Sequence, residues 1–305
     1  MHKQPVLAAL DLGSNSFRME TGYFVGPHFQ RTSYAKQALR QSASLQPGGA
    51  LSAQALQQGW DCLQDFGARL RAQGVERVGA VATQTLREAS NGAEFIARGS
   101  ELLGAPIQVI SGTQEAHFMF RGVVGLLPPS AERRLVMDLG GRSTELALGQ
   151  GRQAHQVASY PLGSALWSAR FFPDGVFTSS AFAQAYEAAR QVLQPAAQQF
   201  VRGSWDRVYA SASMASAACE VLSAHGQPTD HIARQDVLWL QEQVLRCGDV
   251  HHLQLPGLRA DRVPVVAGGL CVLLAVFDTL GLQTMLPAQG ALRLGVLYSL
   301  MDEWL

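Results

Sequence analysis

Residues 7–19 read LAALDLGSNSFRM, and residues 135–146 read LVMDLGGRSTEL. Each is an apolar run that stops at Asp-Leu-Gly, passes through small hydroxyl-bearing residues, and turns apolar again. Gly and Asn at a tight hairpin need no special account, because both tolerate the positive φ that such turns demand. The aspartates do need one. A carboxylate at the end of a buried apolar run is costly unless a cation or hydrogen-bond donors meet it. An ordinary glycine hairpin explains either turn alone; the matched pair, at Asp11 and Asp138, points to two halves built on one plan.

A turn rich in Gly, Ser, Thr and Asn between two strands exposes consecutive backbone N–H groups and hydroxyls, the equipment for cradling phosphate oxygens. With one loop from each half facing a shared cleft, Asp11 and Asp138 would stand at strand ends beside the phosphates. Carboxylates so placed act through a divalent cation or by orienting water.

The elements around the two turns alternate. After the first hairpin, residues 51–74 carry apolar residues at helical spacing and 76–83 form a short apolar strand. The spacing then predicts one helical stretch over 84–104, a strand over 106–111 and a helix over 112–127. Residues 126–134, LLPPSAERR, are Pro-rich and charged between apolar elements, which places a domain boundary there. Beyond it, 134–141, 143–149 and 155–163 read as successive strands, followed by a helical region to about residue 200, a strand over 206–213 and a mainly helical remainder. The expected organisation is an α/β chain of two related domains, 1–127 and 128–305.

Composition bounds the function class. With 47% hydrophobic and 16% charged residues the chain is globular rather than disordered or fibrous. Lys and Arg number 24, as do Asp and Glu, so an anionic partner must be held by local clusters rather than steered by net charge. No nucleic-acid partner is expected. The cations are almost all Arg, a codon bias by the simplest account. Cys62, Cys219, Cys247 and Cys271 show no CxxC spacing and read as core thiols of a reducing cytoplasm. The longest apolar run, 265–277, reads as short of a membrane span, and the N-terminal run before Asp11 as too short for a signal peptide. A cytoplasmic protein away from membranes is expected.

Glu115, in VISGTQEAHF, follows a strand and a Ser-Gly-Thr turn and so falls in the first turn of a helix. There it either complements the helix dipole, with Ser111 or Thr113 as cap, or serves as a general base that activates water. The sequence holds no P-loop, HExxH or GxSxG, and its only close histidine pair is His251-His252, which reads as a surface pair.

Seven ordered stretches now resemble one family, the exopolyphosphatases and guanosine pentaphosphate phosphohydrolases, in their short two-domain form. They are ALDLGSNSFRM, VATQTLREASN, VISGTQEA, VMDLGGRSTEL, ASYPLGS, DRVPVVAGGLCVLLAVFDTLG and GALRLGVL, and they run nearly the whole chain. The resemblance implies two ribonuclease-H-like domains of the actin, Hsp70 and sugar kinase superfamily with an interdomain cleft. It implies Glu115 as catalytic base, with Arg87 reaching toward substrate phosphates. The phosphate loops fall on Gly13, Ser14, Asn15 and Ser16, and on Gly140, Gly141, Arg142, Ser143 and Thr144. Asp138, Glu145 and Asp11 become the metal carboxylates, and Arg18 and Arg262 match positions associated with guanosine nucleotides. Mg²⁺ or another divalent cation is the implied cofactor, with K⁺ as a further cation.

Four departures stand at these motifs. Arg142 replaces the third glycine of DxGGGST; Ala210, Ser213 and Met214 stand where Gly, Gly and Thr are usual; Leu294 replaces the glutamate of an Arg-Glu-Gly motif; and 41–45, QSASL, lacks the usual glycine and acidic residue. The leading expectation is an enzyme that removes the terminal phosphoryl group of inorganic polyphosphate. Guanosine pentaphosphate is the rival substrate, and a binder of polyphosphate or guanosine alarmones that has lost turnover is the rival class. Glu115, Asp138 and Glu145 weigh for the enzyme. A homodimer that extends a basic groove is a further expectation.

Overall fold

The computed structural model describes residues 4–211 and 213–302, with the side chain of Ser213 outside that description. The chain divides into two compact units, Met1–Leu127 with Gly290–Leu305, and Pro128–Gln289.

In the first unit, β1 (Leu7–Leu12), β2 (Ser16–Val25) and β3 (His28–Ala38) form an antiparallel meander, and α1 (Ala53–Ala72) follows. β4 (Arg77–Ala82) then pairs parallel to β1, and β5 (Ile107–Val109) parallel to β4, so the sheet order is β3-β2-β1-β4-β5. Both faces of β1 are buried, which explains its unbroken apolar run. β3 was not expected as a strand: HFQRTSYAKQA is polar and mostly exposed because it lies at the sheet edge.

α1 starts where Ser52 Oγ accepts the Ala55 N–H and buries Trp60, Leu63, Phe66 and Leu70 along one stripe. The single helix expected over 84–104 is instead two, α2 (Gln84–Glu88) and α3 (Gly92–Leu103). Asn91 breaks it: its side chain accepts from the Leu51 N–H at 2.9 Å and donates to the Leu51 carbonyl at 3.0 Å, a tertiary alternative to the helix ladder. α4 (Gly112–Val124) closes this part of the unit.

The second unit repeats the plan. β6 (Arg133–Leu139), β7 (Thr144–Gln150) and β8 (Gln153–Tyr160) form the antiparallel meander, followed by α5 (Ser164–Phe171) and α6 (Ser179–Gln199). β9 (Arg207–Ser211) pairs parallel to β6; α7 (Ser213–Ala224), β10 (Ile232–Ala233), α8 (Arg234–Cys247), α9 (Val266–Leu280) and β11 (Thr284–Pro287) complete it. Read from its far edge, β8-β7-β6-β9-β11 reproduces β3-β2-β1-β4-β5, with β10 added outside. β10 and β11 are too short to show in the sequence pattern.

Two expectations are corrected here. The helical stretch ending in α9, Val263–Leu280, is 18 residues long with mean hydropathy 2.1, long and apolar enough to cross a membrane, but 72% of it is buried. It is apolar all round because it is the core helix of its unit. The last helix, α10 (Leu292–Asp302), belongs to the first unit, not the second. It packs on α4 at two glycines: a Cβ on Gly122 would meet the Ala291 carbonyl at 2.0 Å, and one on Gly295 the Phe118 carbonyl at 1.8 Å. Leu294, the residue in place of glutamate, lies buried in the apolar cluster formed there with Leu7, Ala9 and Val81.

Candidate active site

The first unit gathers its chemistry at the C-terminal ends of its parallel strands, where α/β sheets bind ligands. β1 leads into the loop of Gly13, Ser14 and Asn15, β4 into α2, and β5 into α4. Residues 39–42 hold the loop by its carbonyls: Ser14 accepts from the Ser42 amide at 3.0 Å, and Asn15 from the amides of Leu39 and Arg40 at 3.1 and 3.0 Å. Peptide bonds are trans among the described residues. A peptide whose carbonyl is held on one side presents its N–H on the other, so the Asn15 amide faces away from 39–42. The Thr85 hydroxyl, at the start of α2, donates to Ser14 Oγ at 2.8 Å and ties this loop to the next element.

Ser111 caps α4 in a full capping box with Gln114, which settles which of Ser111 and Thr113 does so. Glu115 thereby stands in the first helical turn, where the helix dipole favours a carboxylate. Its side chain is 14% exposed, and Oε2 lies 3.9 Å from Arg87 Nη1. The same Arg87 nitrogen donates to the Ile110 carbonyl, so one guanidinium bridges α2 to the entry of α4. Arg18 sits one strand over, its Nε donating to Ser16 Oγ at 3.1 Å.

The second unit holds its loop the same way, with a helix doing the work. The Gly140 carbonyl accepts from the Ser164 amide at 3.0 Å, and the Gly141 carbonyl from the amides of Ala165 and Leu166 at 2.9 and 3.0 Å, all at the start of α5. The amides of Gly141 and Arg142 therefore present away from α5. Gly163 is needed for this close approach: a Cβ there would lie 2.5 Å from the Arg142 nitrogen and the Gly141 carbonyl carbon. Two of the expected phosphate groups serve the loop itself. The Gly140 amide donates to the Ser143 carbonyl at 2.9 Å, and the buried Thr144 hydroxyl to the Leu162 carbonyl at 2.7 Å. Asp138 and Glu145 stand directly opposite each other across β6 and β7, and Glu145 Oε1 accepts from the Ser159 hydroxyl at 2.8 Å.

The family model of the Ppx/GppA phosphatases matches residues 24–304. This chain belongs to the Ppx/GppA phosphatase family. Among solved structures it is similar to the Aquifex aeolicus PPX-GPPA enzyme, with a TM-score of 0.81 at 21% identity over 97% of this chain and 100% of that one. It is likewise similar to an exopolyphosphatase from Cytophaga hutchinsonii, with a TM-score of 0.85 at 20% identity over 98% of each chain. The fold of this Ppx/GppA member is thus two α/β domains whose sheets share one strand order. Its activity class is that of a phosphatase.

Among the described residues no three His, Cys, Asp or Glu side chains gather as a metal cage. The donor set at Asp138 and Glu145 still fits Mg²⁺, which keeps several waters and binds through one or two carboxylates plus substrate phosphates rather than a full protein cage. Asp11 has different company. Its Oδ2 lies 3.6 Å from Nη1 of Arg293, a residue the motif reading passed over. Thr85 was also passed over, although it lies within the VATQTLREASN stretch; Arg293 lies in the Arg-Leu-Gly remnant, but its partner could be found only by folding the chain. Arg262 precedes α9 in the second unit, in the turn where its amide donates to the Arg259 carbonyl at 2.9 Å.

Of the departures, Met214 is absorbed by packing. It is 1% exposed, and a Cβ on Gly269 of α9 would meet its Cε at 2.2 Å. The thioether fills the groove that this glycine leaves. Of the thiols expected in the core, Cys62 and Cys271 are buried, whereas Cys219 and Cys247 are half-buried at its margin. Burial, with the Asp65 charge adding, pushes the Cys62 thiol up to about 12, and burial pushes Cys271 up as well.

Proposed function

We propose that this Ppx/GppA phosphatase is an exopolyphosphatase, which removes the terminal phosphoryl group of inorganic polyphosphate by attack of water. The observation that carries the reading is the Arg87–Glu115 pair at the start of α4. A general base must be held as a carboxylate and aimed by fixed partners, and here a capped helix terminus and a bridging guanidinium supply both. The similarity to the Cytophaga hutchinsonii exopolyphosphatase supports the substrate class.

In this mechanism Glu115 takes a proton from water as its oxygen attacks the terminal phosphorus, and the bond from phosphorus to the bridging oxygen breaks. The shortened chain departs with the negative charge. Each unit offers loop amides to phosphate oxygens, Asn15 in the first and Gly141 and Arg142 in the second, where the Arg142 side chain adds a cation in place of glycine flexibility. Arg87 offsets charge on the departing chain, a kind of preorganised stabilisation worth several kcal/mol in phosphoryl transfer generally. Asp138 and Glu145 would hold Mg²⁺, whose contribution when bound is to neutralise phosphate charge.

The test is phosphate release from long polyphosphate and, separately, from guanosine pentaphosphate, each with wild-type protein and Glu115→Gln. Release from polyphosphate that falls at least about 100-fold in the variant supports the reading. Faster release from guanosine pentaphosphate would reassign the substrate, and binding without release would make the protein a sensor.

A further inference from the structure

Arg293 stands at the start of α10 and reaches three side chains of the first unit. Nη1 lies 3.6 Å from Asp11 Oδ2, Nε donates to Glu20 Oε2 at 3.2 Å, and the guanidinium sits 5.5 Å from the centre of the Tyr34 ring. These partners share one face of the sheet. Asp11 faces Arg18 across β1 and β2, Glu20 follows two positions on, and Glu20 faces Tyr34 across β2 and β3.

The two oxygens of Asp11 have different neighbours. Oδ1 lies against Gly13 so closely that a Cβ there would be 3.3 Å from it, and Oδ2 faces the guanidinium. The two side chains are 12% and 18% exposed, so water screens the pair poorly. A divalent cation at Asp11 would have to share the carboxylate with a fixed positive charge. The second unit is built otherwise: at the same hairpin position Asp138 faces a carboxylate, Glu145, where Asp11 faces Arg18.

We propose that Arg293 is a positioning residue for the first phosphate loop. It holds Asp11 beneath Gly13 as a counter-ion and keeps divalent cations off that carboxylate, leaving Asp138 and Glu145 to hold one. The assignment of the ion to Asp138 and Glu145 rests on the proposed function; the effect of Arg293 on Asp11 does not.

The experiment counts Mn²⁺ bound to the full chain from the electron paramagnetic resonance signal of the free ion. Wild type is compared with Asp11→Asn, Asp138→Asn, Arg293→Gln, Arg293→Lys and the double variant Arg293→Gln/Asp11→Asn, with folding checked by circular dichroism. Asp11→Asn should bind as many Mn²⁺ ions as wild type. Arg293→Gln should gain one weaker ion that the double variant loses, and Arg293→Lys, which keeps the charge, should gain none. A merely structural role for Arg293 would not move the count in this pattern. Loss of an ion in Asp11→Asn overturns the proposal, as does an unchanged count in folded Arg293→Gln. Should Arg293→Gln fail to fold, Asp11→Asn alone decides. Mn²⁺ binding unaffected by Asp138→Asn would instead overturn the metal assignment of the proposed function, with the Arg293 comparison still decisive for Asp11.

Discussion

Asp138 on β6 stands directly opposite Glu145 on β7, at the hairpin position where the first unit sets Asp11 opposite Arg18. The duplicated plan thus carries different charges at this position: one hairpin sets two carboxylates opposite each other, and the other sets a carboxylate opposite Arg18, with Arg293 3.6 Å from it. Two carboxylates side by side repel, and in the proposed function a divalent ion at the second hairpin would offset that repulsion.

Removing one of those carboxylates should show in the metal requirement. Asp138→Asn is expected to raise the Mg²⁺ concentration for half-maximal phosphate release by at least about tenfold, since Mg²⁺ sites rely on only one or two protein carboxylates. A Mg²⁺ titration of phosphate release, begun after chelation with EDTA, measures it. An unchanged titration curve would remove Asp138 from the metal site.

The second loop depends on a missing side chain. Gly163→Ala would bring a methyl group within 2.5 Å of the Arg142 nitrogen, so the loop backbone must shift. Overpacking of this kind costs about 1–3 kcal/mol. The expected outcome is a lowered urea midpoint and a raised KM for polyphosphate, because the displaced amides are those of the proposed cradle. Steady-state kinetics and a urea titration check both.

The α4–α10 contact makes a stability prediction for the first unit. A Cβ on Gly295 would lie 1.8 Å from the Phe118 carbonyl, a backbone atom that has little room to yield. Gly295→Ala should therefore destabilise by about 1–3 kcal/mol or more. Hydrogen exchange should show the loss of protection concentrated in α4 and α10, and equal protection of these helices in variant and wild type would contradict it.

A pH effect follows from Asp278 on α9. Hydrogen bonds from Arg234, at 2.5 and 3.0 Å, hold its carboxyl below the ordinary 3.8, and the Tyr186 hydroxyl at 2.6 Å adds to this against the opposing effect of burial. A carboxylate depressed in the folded state contributes stability above its unfolded value and loses that contribution as pH falls through the folded value. Asp278→Asn should lower the urea midpoint near about pH 7 and shrink the loss on moving to about pH 3. Parallel losses in variant and wild type would show that the network contributes nothing.

Parts of this protein were legible because they depend on residues a few positions apart. The Asp-Leu-Gly turns, a helix cap at Ser111 or Thr113 and the placing of Glu115 in a first helical turn are of this kind, while the choice of Ser111 came from the folded capping box. Polar edge strand β3 gave no apolar alternation to read, and the break between α2 and α3 depends on Asn91 finding Leu51, forty positions away.

The sequence by itself determined the two hairpins, their repetition and the residue types at the candidate site, because turn chemistry and hydrophobic period are local. Only the tertiary structure decided that α10 returns to the first unit, that Arg87 meets Glu115, that Thr144 turns inward to Leu162, and that Arg293 rather than open solvent faces Asp11. Those outcomes depend on strand pairing and on helices brought close by glycines. They follow from which distant surfaces pack best, which no local stretch of the chain encodes.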